Sequence, residues 1–160
     1  IPPLLNQNLA VTQGFIGADI NGNTTTLGRE GSDYTAAIIA SCMEASEVVI
    51  WKDVDGILNA DPKRISNAKK YEELPYQEAA EMAYYGASVI HPKTIKPLAN
   101  KNIMLWVRPF NDVKAAGTCI RNCEITNLET AIIFKPNKCI LSFRVKDFTF
   151  INESKICTRL

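Results

Sequence analysis

The sequence predicts an α/β fold with a ligand site at the carboxyl ends of its strands, and three observations carry that prediction. Val48-Val49-Ile50-Trp51 is a β-branched run, too short for a helix and apolar on both faces. Such a run fits a central strand covered on both sides. From Asp33 onward Ala36, Ala37, Ala40 and Met43 recur at helical spacing. Directly ahead of them, residues 24–33 gather hydroxyls, the glycines Gly28 and Gly31, Arg29 and Asp33. Strand, Gly-rich loop, helix, strand is the order of an α/β sheet that binds ligands at its strand ends.

The remaining elements follow in chain order. Leu9 to Gln13 is a short apolar run ending at Gly14 and reads as a buried strand. Phe15 to Thr26 reads as a hairpin, because Asn21-Gly22 is a strong tight-turn signal. The first helix opens near Ser32 or Asp33 and ends near Ala45 or Ser46. Asp53 to Pro62 is a loop marked by Asp55-Gly56 and Asp61-Pro62. Pro75 opens a helix over Tyr76 to Tyr85, and Gly86 stops it. A short helix follows His91-Pro92, with Pro97 in or near its first turn. Ile103 to Val107 is another buried strand, and Gly117-Thr118-Cys119-Ile120 closes this part. After Asn122 the character changes. Thr130 to Phe134 and Cys139 to Val145 read as strands joined by a turn at Pro136-Asn137. Residues 146–160 lack apolar periodicity and are expected to be poorly ordered.

Composition excludes several classes. With 160 residues and 46% hydrophobic content the chain can bury a globular core. A formal net charge of +1, with Lys and Arg scattered, gives no basic stripe for nucleic acid. No run approaches the roughly 20 apolar residues of a membrane helix, and no secretory signal is present. The five cysteines form no Cys-x-x-Cys pair, and the lone His91 is far from the closest two, Cys119 and Cys123. Reduced thiols in a cytoplasm fit that pattern better than a zinc site or a disulfide framework.

The loop at 24–33 supplies the chemistry. Glycines let a backbone turn tightly and approach a ligand. A helix beginning beside them aims unpaired N–H groups and a partial positive charge at the loop. Arg29 adds a planar fork suited to a carboxylate or a phosphate. The segment therefore reads as a site for a small anion. Ser32 and Asp33 can bind or simply cap the helix.

The same residues resemble the aspartokinase signature. Gly14-Phe15-Ile16-Gly17 and the stretch from Thr24 to Ala37 match it nearly residue for residue, with Glu30 replacing a more usual glycine. The likeness continues through Trp51-Lys52-Asp53-Val54-Asp55-Gly56, Ala60-Asp61-Pro62, Glu78 to Ala83, Gly86-Ala87 and His91-Pro92-Lys93-Thr94 to Gly117-Thr118. The resemblance implies a three-layer αβα sandwich of the amino acid kinase type, partial here. Residues 1–121 would be the carboxyl-terminal part of the catalytic domain. Residues 122–160 would be a linker and the truncated start of a regulatory ACT domain. The family's Lys-Phe-Gly-Gly segment is not found in the sequence, so this stretch alone is expected to be inactive.

The implied reaction is ATP-dependent phosphorylation of the β-carboxylate of L-aspartate, with Mg²⁺ on the phosphates and no protein metal ligands. By resemblance Arg29 grips the α-carboxylate, with Gly31 and Ser32 also at the substrate. Asp33 orients the catalytic lysine and can contact the substrate amine. Lys52 and Asp53 border the nucleotide, although the family usually has Thr-Asp there. Leu58 stands for a tyrosine, Lys63 for an arginine with Arg64 beside it, and Ser88 for a lysine, all on the nucleotide side. His91 reads as a structural residue at a helix start, Glu78 and Glu81 as exposed helix residues, and Trp51 and Trp106 as core. The resemblance also implies an amino-acid effector, with lysine favoured, and a homo-oligomer formed through ACT domains. The alternatives are a glutamate or acetylglutamate kinase, or a non-catalytic nucleotide- or effector-binding module.

Overall fold

A computed structural model of the chain describes residues 9–87, 89–125 and 129–137. It opens with a hairpin of β1 (Ile16–Ala18) and β2 (Thr24–Thr26), paired antiparallel. The Asp19 carboxylate shapes the turn by accepting the N–H groups of Asn21 and Asn23, both at 2.8 Å. Helix α1 (Gly31–Met43) follows, then strand β3 (Glu47–Lys52). After a long loop come β4 (Glu73–Pro75), α2 (Tyr76–Tyr85), α3 (Pro92–Ala99), β5 (Met104–Pro109) and β6 (Thr118–Arg121). The four later strands form one mixed sheet in the order β3-β5-β6-β4. β3 runs parallel to β5, β5 antiparallel to β6, and β6 parallel to β4.

The three helices among the described residues pack on one face of this sheet. The core joins Ala37 and Ala40 of α1, Ala79 and Met82 of α2, and Ile95 and Leu98 of α3 to alternate strand residues. Those strand residues are Val48 and Ile50, Leu105 and Val107, Leu74 and Ile120. The period of two along each strand is what puts them on a single face. Helix α2 has the bounds that the sequence signals. Pro75 precedes it in extended conformation, and Gly86 ends it at φ 119°, donating to the Met82 and Ala83 carbonyls.

Several expectations are corrected. Residues 9–14 form no strand, and Leu9 and Val11 are exposed. A strand needs a ladder partner, and among the described residues none pairs with this run. Among the described residues only β5 pairs with β3, which places it at the edge of this sheet rather than at its centre. Trp51 alternates with the core residues Val48 and Ile50, so it lies on the face away from the helices and is 41% exposed instead of core. Trp106 is half-buried, and its indole N–H donates to the Glu47 carboxylate at 3.0 Å. Helix α3 begins at Pro92, so Pro97 lies inside it rather than in its first turn. Helix α1 starts at Gly31 with Glu30 as its N-cap, which leaves Ser32 and Asp33 in the first turn and not at the cap.

Thr130 to Phe134 makes a single parallel bridge, Ile132 to Ala60, and no strand. The bridge is made by the Ile132 N–H, which donates to the Asn59 carbonyl at 2.7 Å, and no further pairing extends it among the described residues. Pro136-Asn137 does bend, with Asn137 at φ 55°. Ser88, the strand expected over Cys139 to Val145, and residues 146–160 lie outside the described residues.

Candidate functional site

Two loops meet at the end of β3. The first runs from β2 into α1. Gly28 turns it at φ 74°, and the Lys93 ammonium pins it by donating to the Leu27 carbonyl at 2.6 Å. Phe15 ties it to the hairpin, because its carbonyl accepts the Leu27 N–H at 2.8 Å. The Phe15 N–H in turn donates to the Thr35 hydroxyl at 3.0 Å. Gly31 is buried, and a Cβ there would lie 2.8 Å from the Phe15 ring and 3.0 Å from Leu27. Its lack of a side chain is thus demanded by packing.

The first turn of α1 has donors to spare. Gly31 N–H bonds to Gly28 O and Tyr34 N–H to Glu30 O, while those of Ser32 and Asp33 find no acceptor among the described residues. Arg29 and Ser32 are exposed, and Arg29 makes no ion pair with a described residue. A free guanidinium beside unpaired helix N–H groups is a place for an anion.

The second loop begins where β3 ends. Lys52, its last residue, donates to the Asp33 carboxylate at 2.7 Å, with both side chains mostly buried. This ion pair brings Lys52 to the first turn of α1, alongside Arg29, Gly31 and Ser32. Asp53 follows, exposed and unpaired among the described residues. Leu58 bridges to Lys70 and lines a cavity of about 240 Å³ with Ala60, Pro62, Met82, Val89 and Phe134. Lys63 is exposed on a turn where its N–H donates to the Asp61 carboxylate at 2.9 Å. Arg64 lies over the Phe134 ring at 4.0 Å.

This second loop is braced by one buried hydroxyl. Thr118 accepts the Ile57 N–H at 2.9 Å and donates to the Tyr71 carbonyl at 2.6 Å. Tyr71 N–H closes the circuit on the Ile57 carbonyl at 2.9 Å. Gly56, at φ 142°, passes so close that a Cβ would sit 2.5 Å from the Thr118 hydroxyl.

His91 has the structural place expected of it. It caps α3, its Nδ1 accepting the Lys93 N–H at 3.2 Å. Gln77 donates to Glu81 at 3.2 Å, and among the described residues no three His, Cys, Asp or Glu side chains converge as a metal site. Cys42, Cys119 and Cys123 are free thiols, and burial pushes the Cys119 thiol up, keeping it neutral in the core. A residue with no role assigned from the sequence is Glu30. It takes a left-handed backbone, φ 53° and ψ 35°, with no side-chain capping bond. Its one signal in the sequence is a glutamate where a glycine is usual.

The amino acid kinase family model matches residues 1–109. The chain belongs to the amino acid kinase family. Its mixed α/β sheet with helices packed against it is the fold of that family. The chain is 46% identical to lysine-sensitive aspartokinase 3 of Escherichia coli (strain K12) over 141 residues, 88% of this chain and 31% of that protein. Among solved structures it resembles E. coli aspartokinase III in complex with aspartate and ADP, at TM-score 0.73 and 48% identity, covering 78% of this chain and 28% of that one. It also resembles the Clostridium acetobutylicum aspartate kinase, at TM-score 0.71 and 35% identity, covering 81% of this chain and 30% of that one. The chain therefore spans less than a third of the length of each of these relatives.

Proposed function

We propose that this chain is part of an aspartokinase, which moves the γ-phosphoryl of ATP to the β-carboxylate of L-aspartate. The observation that carries the reading is the Lys52–Asp33 pair. It draws the end of β3, where nucleotides dock in α/β folds, onto the anion-binding turn of α1. A phosphoryl donor and a dicarboxylate acceptor need that juxtaposition. The similarity to an aspartokinase solved with aspartate and ADP supports the same assignment.

Such a transfer asks the protein to position two polyanions and offset developing charge. Arg29 holds the α-carboxylate of aspartate by its fork. The N–H groups of Ser32 and Asp33, with the Ser32 hydroxyl and the close backbone at Gly31, complete the cradle. Asp33 acts as the orienting carboxylate of the catalytic centre. Lys52 and Asp53 border the ribose and phosphates, Leu58 packs on the base, and Lys63 and Ser88 take the remaining nucleotide positions. Mg²⁺, when bound, would lie on the phosphates and neutralise their charge, with no protein side chain assigned to hold it.

Residues 1–121 form the catalytic part and 122–160 the linker and start of an ACT domain. Lysine is the end-product effector, acting at ACT interfaces of a homo-oligomer in the cytoplasm. The name of the lysine-sensitive relative supports that choice, and no helix among the described residues is long and apolar enough to cross a membrane. Hydroxylamine trapping of aspartyl phosphate, using the intact protein with ATP, Mg²⁺ and aspartate, tests the reaction. Trapping with glutamate or acetylglutamate but not aspartate would reassign the acceptor, and none with any of them would reject catalysis. Initial rates with millimolar lysine or threonine test the effector; inhibition by threonine alone would overturn the lysine assignment.

A further inference from the structure

We infer that the segment after the catalytic part reaches back to wall the nucleotide site, with Phe134 stacking on the base of ATP; this rests on the aspartokinase reading above. The cavity of about 240 Å³ at Leu58 adjoins the end of β3, since Val54 and Gly56, just after Lys52 and Asp53, also line it. Part of its wall comes from much later in the chain. Ile132, Ile133 and Phe134 line the same cavity. They follow Gly117-Thr118, where the likeness to the family signature ends.

Residues 129–135 are tied down along their length. The Glu129 carboxylate takes the Lys69 ammonium at 2.6 Å, and the Glu129 carbonyl accepts the Tyr71 hydroxyl. The Ile132 N–H holds the middle by donating to the Asn59 carbonyl. Lys135 donates to the Tyr84 carbonyl at 3.3 Å, near the end of α2. The segment thus crosses from the loop after β3 to α2, whose Met82 also lines the cavity. The Arg64 guanidinium lies over the Phe134 ring at 4.0 Å and steadies it. Phe134 nevertheless stays 57% exposed, so its ring is within reach of a ligand and adds little to the core.

The lining suits a flat, uncharged group. Leu58, Ala60, Pro62 and Met82 are apolar, and the polar side chains among them are already engaged. Asn59 accepts the Lys69 N–H at 2.8 Å and donates to Glu129 at 3.4 Å. Asp61 accepts the Lys63 N–H at 2.9 Å. What remains for a ligand is apolar surface beside an accessible aromatic ring. A nucleobase stacks on such a surface. Phosphates need cations and N–H donors, so they belong toward Lys52.

Tripolyphosphate, which is the phosphate chain of ATP without its nucleoside, separates base stacking from general damage. In the intact enzyme Phe134→Ala is expected to raise the ATP KM roughly fivefold or more, with the aspartate KM unchanged. The inhibition constant of tripolyphosphate against ATP should stay within about twofold, because a lost stacking contact cannot affect it. Phe134→Tyr, which keeps the ring, should keep the ATP KM near that of the wild type. Equal weakening of ATP and tripolyphosphate, an ATP KM unmoved by Phe134→Ala, or a Phe134→Tyr enzyme as weak as Phe134→Ala would overturn the inference while leaving an active aspartokinase. A wild-type enzyme without ATP-dependent aspartate phosphorylation would reject the reading beneath it and the inference together.

Discussion

The loop from β2 into α1 and the loop after β3 touch through one ion pair but are held in opposite ways. The second is fastened inward. Its Ile57 and Tyr71 backbone groups close on the Thr118 hydroxyl, which is fully buried in β6. The first is fastened at its edges, by Lys93 from α3 and by Phe15 from the hairpin. Its tip keeps Arg29 and Ser32 exposed, with helix N–H groups unpaired among the described residues. A loop whose polar groups are satisfied internally is a rigid wall. A loop whose donors are left over is a binding surface, because the ligand completes its hydrogen bonds.

Glycine substitutions break the comparison most sharply. Gly56→Ala would place a Cβ 2.5 Å from the Thr118 hydroxyl, at a φ of 142° that alanine resists. Overpacking and backbone strain together are expected to cost on the order of 4 kcal/mol. The urea midpoint of the intact protein should fall, along with nucleotide affinity.

Thr118→Val keeps the shape of β6 and removes the brace. The Ile57 N–H would lose its acceptor and the Tyr71 carbonyl its donor, in a buried setting. The expected loss is about 3 kcal/mol, read as a lower urea midpoint with unchanged slope. Aspartate binding, which depends on the other loop, should move little. A neutral result would show that the second loop is held from elsewhere.

Arg29→Lys addresses the binding surface without touching either brace. Lysine keeps the charge and loses the fork. A loss of about 2 kcal/mol, or roughly 30-fold in aspartate kcat/KM, is expected. The ATP KM should stay put; if it moves instead, Arg29 belongs to the nucleotide.

Gly28→Ala is the gentle counterpart of Gly56→Ala. Its φ is 74°, but among the described residues a new Cβ would meet only the flexible Lys93 ammonium, at 3.6 Å. Only the left-handed penalty remains, about 1 kcal/mol. Thermal unfolding should shift by a few degrees. A fall as large as that of Gly56→Ala would erase the distinction between the loops.

Much of this protein was legible wherever the signal is local. Pro75 and Gly86 set the ends of α2 because proline and glycine act on their own backbone dihedrals. Asn21-Gly22 marked the hairpin for the same reason. The strand character of residues 48–51 was equally local, but its place in the sheet was not. Whether a β-branched run sits at the centre or the edge depends on which strands come to lie beside it, and β5 arrives only at Met104. Leu9 to Gln13 looked like a strand for its side chains alone, yet a strand is a ladder and needs a partner.

The candidate site divides along the same line. The residue types around Arg29 and Asp33 announced an anion site, since glycines, a helix start and a guanidinium are readable in order along the chain. The partner of Asp33 was not readable. Lys52 lies nineteen residues away, and only the packing of β3 against α1 sets the two charges 2.7 Å apart. Likewise Thr118 serves Ile57 and Tyr71 across separations of 61 and 47 residues. A hydroxyl in a four-residue strand carries no mark of such a duty. Sequence determined which groups were available and how the backbone bends near each one. Tertiary structure decided which distant groups meet, because burial leaves each polar group to be satisfied by whatever the fold brings within hydrogen-bond reach.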